Sequence, residues 1–361
     1  MSVRILLGDC RERLRGLAAG SVQCVVTSPP YFGLRDYGHD GQIGLEATPE
    51  AFVAALVEVF REVRRVLRDD GTVWLNLGDS YNNNPSTSEM LRSEQGNGSG
   101  AFQIGDQKHT TARRRKANCA QPLIDAGIKK KDLIGIPWMV AFALRADGWF
   151  LRQDIIWAKP NPMPESVRDR CTKAHEYIFL LSKGPRYHYD AEAISEPRTQ
   201  NEDASTFRGG CYVGGEIDNA TMGKRRTPGN KRHKGAAAYE AGDDKHRTKE
   251  GLLAYAARER AADPSDIGTR NKRSVWTVGS EPFKEAHFAT YPPALIEPCI
   301  LAGCPAGGVV LDPFGGAGTT GLVADRLGRD AVLIELNPEY AEIARRRIEG
   351  DAGMFAKVEA A

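Results

Sequence analysis

Five residues, Thr27-Ser28-Pro29-Pro30-Tyr31, constrain this chain more than any others. They follow an apolar run, residues 22–26, that reads as a short buried strand. Two consecutive prolines cannot continue into a helix, and they withdraw two backbone N–H donors. What remains is a rigid turn at a strand end. It offers carbonyl oxygens, a side-chain hydroxyl and an aromatic ring. That set suits a planar ligand carrying an amino group, such as a nucleobase. The same residues also fit a plain proline-stiffened loop with a packed tyrosine, and the turn alone does not separate the two.

The rest of the pattern places that turn in a fold. Strands are expected at residues 3–7, 22–26, 72–77, 151–157, 176–182, 309–311 and 331–334. Helices are expected at 11–17, 51–67, 137–147, 292–302, about 319–327 and 338–348. The helix at 51–67 is the clearest. Thr48 caps it, Pro49 takes its first position, and Phe52, Leu56, Val59, Phe60, Val63 and Leu67 line one face. Asp69-Asp70-Gly71 reads as its end. Strands alternating with helices imply an α/β fold, a doubly wound and mostly parallel sheet. Two stretches break the pattern. Residues 82–132 carry nine Lys/Arg against five Asp/Glu and read as a mobile basic insertion. Residues 198–273, within a second irregular region, carry sixteen against eleven.

With a net charge of only +2, the remainder of the chain is acidic. Basic segments on an acidic body suit contact with a polyanion, and they suit solvated loops as well. Arg113-Arg114-Arg115-Lys116 and the run from Lys224 to Lys234 are the densest clusters. Hydrophobic content of 41% with 27% charged residues is that of a soluble globular protein, and no apolar run is long enough to span a bilayer. An acid at Asp9 comes too early for a signal peptide. Seven cysteines without a CxxC pair read as reduced thiols, with no metal site, in a cytoplasmic protein.

A second motif lies near the other end. Val309-Val310-Leu311-Asp312-Pro313-Phe314-Gly315-Gly316-Ala317-Gly318-Thr319-Thr320-Gly321 reads as strand, glycine turn and helix start. Glu335, at the end of the next strand, can accept hydrogen bonds from both ribose hydroxyls of a nucleoside. Gly316, Gly318 and Gly321 satisfy the dinucleotide pattern GxGxxG, so a NAD site and an oxidoreductase are one reading. Asp312 favours another. A carboxylate ahead of the glycines repels a pyrophosphate but can pair with an ammonium group. S-adenosylmethionine has a ribose, an adenine and an α-amino group, and no phosphate.

The two motifs together resemble the amino-methyltransferases of DNA found in restriction–modification systems and phages. Thr27–Tyr31 looks like their catalytic [DNS]PP[YFW] motif and Asp312–Gly321 like their S-adenosylmethionine loop. The catalytic motif comes first, which matches the family's beta group. Gly8-Asp9-Cys10, Trp157-Ala158-Lys159-Pro160-Asn161-Pro162-Met163-Pro164, Thr172 to Ile178 and His287-Phe288-Ala289-Thr290-Tyr291-Pro292 agree with further stretches of the group. The resemblance implies a Rossmann-like core of permuted order. Residues 1–81 are the catalytic half, 82–132 the insertion, 133–190 the continued core, 191–280 a target-recognition region and 281–361 the cofactor half.

It also implies roles. Ser28 and the carbonyl of Pro29, stiffened by Pro30, accept the amino hydrogens of a flipped base, and Tyr31 stacks on it. Asp9, Cys10, Phe288, Thr290, Asp312, Phe314, Gly315, Gly316, Gly318, Thr319, Thr320 and Glu335 hold S-adenosylmethionine. Lys159, Asn161, Lys224, Arg225, Arg226, Lys231 and Arg232 contact DNA. Serine at position 28 favours cytosine-N4 as the target, with adenine-N6 as the alternative. The implied partner is double-stranded DNA, with a cognate restriction endonuclease acting separately, and the protein is a monomer or homodimer. His175 and Glu176 are expected as a structural pair, and Trp74, Trp138 and Trp149 as core.

Overall fold

The computed structural model describes residues 2–34, 39, 41–82, 123, 127–197, 269–281, 290–352 and 358–360. Most of the basic insertion, most of region 191–280 and Phe288 lie outside these residues. The chain divides into two compact units, Met1–Ile194 with Arg273–Ala361, and Ser195–Lys272.

The larger unit begins with β1 (Val3–Leu7), α1 (Cys10–Arg15), β2 (Val22–Thr27), α2 (Pro49–Val66) and β3 (Leu67–Leu77). The expected Thr48 cap is present, its hydroxyl accepting from the Ala51 amide at 3.2 Å. The break expected at Asp69 to Gly71 is corrected: α2 runs directly into β3, and the acid pair lies within the strand. A register shift between Val22 and Cys24 absorbs the extra residues. Gly71 is required there, because a Cβ would stand 2.6 Å from the Leu67 side chain and 2.8 Å from the Gln23 carbonyl.

There follow α3 (Ile136–Ala146), β4 (Phe150–Ala158) and β5 (His175–Ser182). In the smaller unit, β6 (Glu196–Pro197) and β7 (Thr269–Arg270) pair antiparallel, with Glu196 bridged to Arg270 at 3.3 Å and Lys272 at 3.5 Å. The larger unit resumes with β8 (Val275–Thr277), α4 (Pro293–Gly303), β9 (Val309–Asp312), α5 (Thr319–Arg326), β10 (Asp330–Glu335), α6 (Pro338–Ala352) and β11 (Val358–Ala360). Strands β8 and β11 are not among those expected from the pattern.

The nine-stranded sheet has the order β11-β1-β10-β9-β2-β3-β5-β4-β8. All neighbours are parallel except at β5, which runs against both β3 and β4. Alternate side chains feed two cores. Val25, Val73, Leu75 and Leu77 pack with α1, α2 and α3 on one face, and Cys24, Val26 and Trp74 with α4, α5 and α6 on the other. Phe52, Leu56 and Phe60 of α2 are fully buried, each contributing roughly 1.5–3 kcal/mol by leaving water. This is the expected doubly wound sheet, and its parallel strands end together on one edge.

Candidate functional site

Ligands of such sheets bind beyond the carboxyl ends of the strands. A cavity of about 690 Å³ lies there. Its walls are the turns after four parallel strands: Gly8 to Cys10 after β1, Ser28 to Tyr31 after β2, Pro313 to Ala317 after β9 and Glu335 to Asn337 after β10. Lys159, Asn76, Thr290 and Thr319 also line it. The two sequence motifs therefore share one space.

At the glycine end, Glu335 binds the loop it faces. Its Oε2 accepts from the Gly316 amide and its Oε1 from the Asn337 amide, both at 2.8 Å. Burial raises its pKa, against the lowering by those amides. Gly316 has a positive φ of 50°, and a Cβ there would meet nothing closer than the Phe314 carbonyl at 3.9 Å, so the loop's surface at the cavity is bare backbone.

Asp312 is placed differently from the expectation. It is 1% exposed and does not line the cavity. Its carboxylate accepts from the Thr27 hydroxyl at 2.6 Å, the Thr320 hydroxyl at 2.6 Å, the Tyr291 hydroxyl at 2.9 Å and the Phe314 amide at 3.0 Å. Burial raises its pKa, while these donors lower it. The ammonium-pairing role is thus corrected to a buried anchor that ties the glycine loop to the end of β2. Thr320 and Gly318 likewise stand behind the lining. Thr320 is fully buried, and a Cβ on Gly318 would stand 2.7 Å from the Ala344 side chain. Asp9 lines the cavity but is also the N-cap of α1, accepting from the Arg11 amide at 2.8 Å and ion-paired with the Arg11 guanidinium. Those interactions hold its carboxyl below the usual range.

At the proline end, the Tyr31 hydroxyl donates to Glu176 Oε2 at 2.6 Å and also lies 3.2 Å from Asn76 Oδ1. Its ring rests against Gly78, where a Cβ would come within 2.5 Å of Tyr31 Cε2. Lys159 ion-pairs with Glu176 and lies 4.2 Å over the Trp157 ring. The expected His175–Glu176 pair is corrected: neighbours on a strand point to opposite faces, and His175 packs edge-on against Tyr177 instead. Lys159, expected on DNA, has its ammonium turned to Glu176, and Asn161 is exposed beyond the lining. Lys224, Arg225, Arg226, Lys231, Arg232 and Phe288 fall outside the described residues. Sequence reasoning missed Glu176, Asn76 and Tyr291 as parts of the site. Tyr291 and Glu176 stood within quoted motifs, Glu176 read there only as a structural partner of His175; Asn76 carried no local signal.

Four amides of the loop are unavailable to a pyrophosphate. Those of Phe314, Gly315, Gly316 and Gly318 already donate to Asp312, Ile334, Glu335 and Gly315. An anion would find them spent. Among the described residues there is no cluster able to hold a metal ion, and no helix long and apolar enough to cross a membrane.

A profile of the N6/N4 DNA methylase family matches residues 22–346. The chain is 42% identical to the type II methyltransferase M.SmaI of Serratia marcescens, over 96% of this chain and 91% of that one. It is 40% identical to M.Cfr9I of Citrobacter freundii, over 98% and 90%. Among solved structures it is similar to PvuII DNA methyltransferase (cytosine-N4-specific), with a TM-score of 0.54, 16% identity and coverage of 95% and 85%. It is also similar to TTHA0409 of Thermus thermophilus complexed with S-adenosyl-L-methionine, with a TM-score of 0.52, 22% identity and 99% of each chain. At these identities the solved structures speak to the fold.

Proposed function

The chain belongs to the N6/N4 DNA methylase family and is a DNA amino-methyltransferase; we propose that it methylates N4 of a cytosine flipped out of double-stranded DNA at a specific sequence. The observation that carries this reading is that Ser28–Tyr31 and the glycine loop with Glu335 line the same cavity.

The donor end fits S-adenosylmethionine. Glu335 retains lone pairs for two ribose hydroxyls, and the bare Gly316 backbone permits close approach. Phe314, Thr290 and Thr319 complete the wall. When bound, S-adenosylmethionine supplies an electrophilic methyl group. The residues of the chain do the rest.

The amino nitrogen of a base is a weak nucleophile because its lone pair is delocalised into the ring. The Ser28 hydroxyl and the Pro29 carbonyl accept its two hydrogens, which favours a pyramidal nitrogen with its lone pair directed outward. Pro30 stiffens the turn, and Tyr31 provides the stacking surface. Flipping costs a few kcal/mol, offset by this stacking and hydrogen bonding. Fixing two reactants in one space removes much of the entropic barrier.

Serine at position 28 supports cytosine, since aspartate there more often accompanies adenine in this family. Target recognition is assigned to residues 191–280, whose side chains would read base edges. A restriction endonuclease of the same specificity is the separate partner such an activity implies. The test is transfer of tritiated methyl from S-adenosylmethionine to mixed genomic DNA, followed by nucleoside separation. N4-methylcytosine is expected. N6-methyladenine overturns the base assignment, and unlabelled DNA overturns the activity.

A further inference from the structure

Because β5 runs against its neighbours, its first residues lie at the cavity while β3 and β4 present their last. Glu176 therefore stands among the strand ends, with its side chain 15% exposed. Its Oε2 accepts from the Tyr31 hydroxyl at 2.6 Å and from Asn76 Nδ2 at 3.3 Å. Asn76 Nδ2 also donates to the Tyr177 carbonyl at 3.1 Å, which sets the amide's orientation. Oε1 carries the ion pair to Lys159.

The consequence falls on Tyr31. Its backbone end is fixed by Pro29 and Pro30, and its hydroxyl end by a carboxylate. A ring held at both ends cannot swing; it can only turn about its long axis, and Gly78 packs against it there. A hydrogen bond to a charged acceptor is stronger than one to a neutral acceptor. A carboxylate this enclosed needs a counter-charge, and Lys159 provides it. We propose that Glu176, held by Lys159 and Asn76, is a positioning residue that fixes the direction of the Tyr31 ring's long axis for the flipped base, while Gly78 limits the turn of its plane. This rests on the reading of Tyr31 as the stacking surface. Glu176 acts through Tyr31, with no bond made or broken at its own carboxylate.

Two measurements test it. In the first, methyl transfer to genomic DNA from a host lacking the modification gives kcat and KM, and calorimetry gives the affinity for S-adenosylmethionine. Tyr31→Phe and Glu176→Ala should each lower kcat roughly 10- to 100-fold, as expected for a misplaced reactant, with cofactor affinity unchanged. Glu176→Gln keeps an acceptor for the tyrosine hydroxyl and should recover most of the loss. The double variant Tyr31→Phe/Glu176→Ala should be no worse than either single one, because one link is broken twice. Unchanged kcat in Glu176→Ala, or losses that multiply, overturns the proposal. If Glu176→Ala does not fold, Glu176→Gln with and without Tyr31→Phe gives the same comparison. In the second, 3-fluorotyrosine labelling yields a resonance absent from Tyr31→Phe. It should shift in Glu176→Ala and move less in Glu176→Gln; an unmoved resonance overturns the tether. This readout needs no turnover, so a wild-type protein without methyl transfer would overturn the reading of Tyr31 separately from the tether.

Discussion

Single atoms decide whether the two ends of the cavity work. A methyl group on Gly78 has no room, since it would sit 2.5 Å from Tyr31 Cε2. Gly78→Ala should displace the tyrosine ring and lower kcat by roughly 100-fold, the scale of a misplaced reacting group, while S-adenosylmethionine binding is retained; steady-state transfer and calorimetry measure the two. At the other end Glu335 titrates above the ordinary glutamate range because it is buried. Its charged form is the better ribose acceptor, so affinity for S-adenosylmethionine should fall as pH drops through that raised value, and Glu335→Gln should bind weakly with a flat profile. The effect on stability has the opposite sign. A native carboxyl that holds its proton more tightly than the unfolded chain costs stability as pH rises from the ordinary carboxylate range to the raised value. Asp312, raised for the same reason, adds to that slope. Calorimetric titration and urea unfolding across the mildly acidic range separate the two trends.

At the scale of elements, α2 is a support for the Ser28–Tyr31 turn as well as a core helix. Phe32, the residue after Tyr31, packs against Phe52 in the first turn of α2, with ring centroids 5.6 Å apart. Gly44 closes over the same turn, its carbonyl accepting from the Gly33 amide at 2.8 Å. Phe52→Ala should therefore cost about 3–5 kcal/mol in urea unfolding, as for other buried aromatics, and should lower kcat under conditions where the protein is still folded. Thr48→Ala, which removes only the cap, should cost about 1 kcal/mol and leave kcat alone. Elements of this kind were legible because their signals are local: β1 occupies residues 3–7 as the pattern implies, and the cap, proline and apolar stripe of α2 all stand within one short window. What escaped was set by distant partners. β8 and β11 are three-residue strands defined by pairing with β4 and β1. Asp69 to Gly71 have turn composition, yet β3 runs through them because Leu67 and Thr72 on either side pair with β2. Glu176 meets a tyrosine 145 positions away, and Asp312 a threonine 285 away. Motif order located the cavity, but spacing could not say which acid faces it and which is buried behind it.

For the molecule as a whole, charge is the property that governs meeting with DNA. An acidic body with basic segments should bind DNA through those segments, releasing counterions from the phosphates. Log affinity should fall linearly with log salt, and replacing Lys224, Arg225 and Arg226 together by glutamine should reduce the slope by up to roughly 0.9 per lost contact. Fluorescence anisotropy with labelled genomic fragments at graded salt measures it; an unchanged slope would place the phosphate contacts elsewhere.

The sheet order also carries a consequence for how the protein is made. β1 pairs only with β10 and β11, and β2 takes β9 as one of its two neighbours, so the first strands synthesised wait for the last. While the ribosome is still working through the middle of the chain, β1 has no partner and the Ser28–Tyr31 turn has no Asp312 behind Thr27. Pairing at such separation is slow, since the loop must close before the contacts reward it. Until β9 and β10 emerge, the nascent chain has half a cavity and no place for its donor. Premature termination before β10 should yield fragments that leave the genome unmarked, which methyl transfer by chains cut at that point would check.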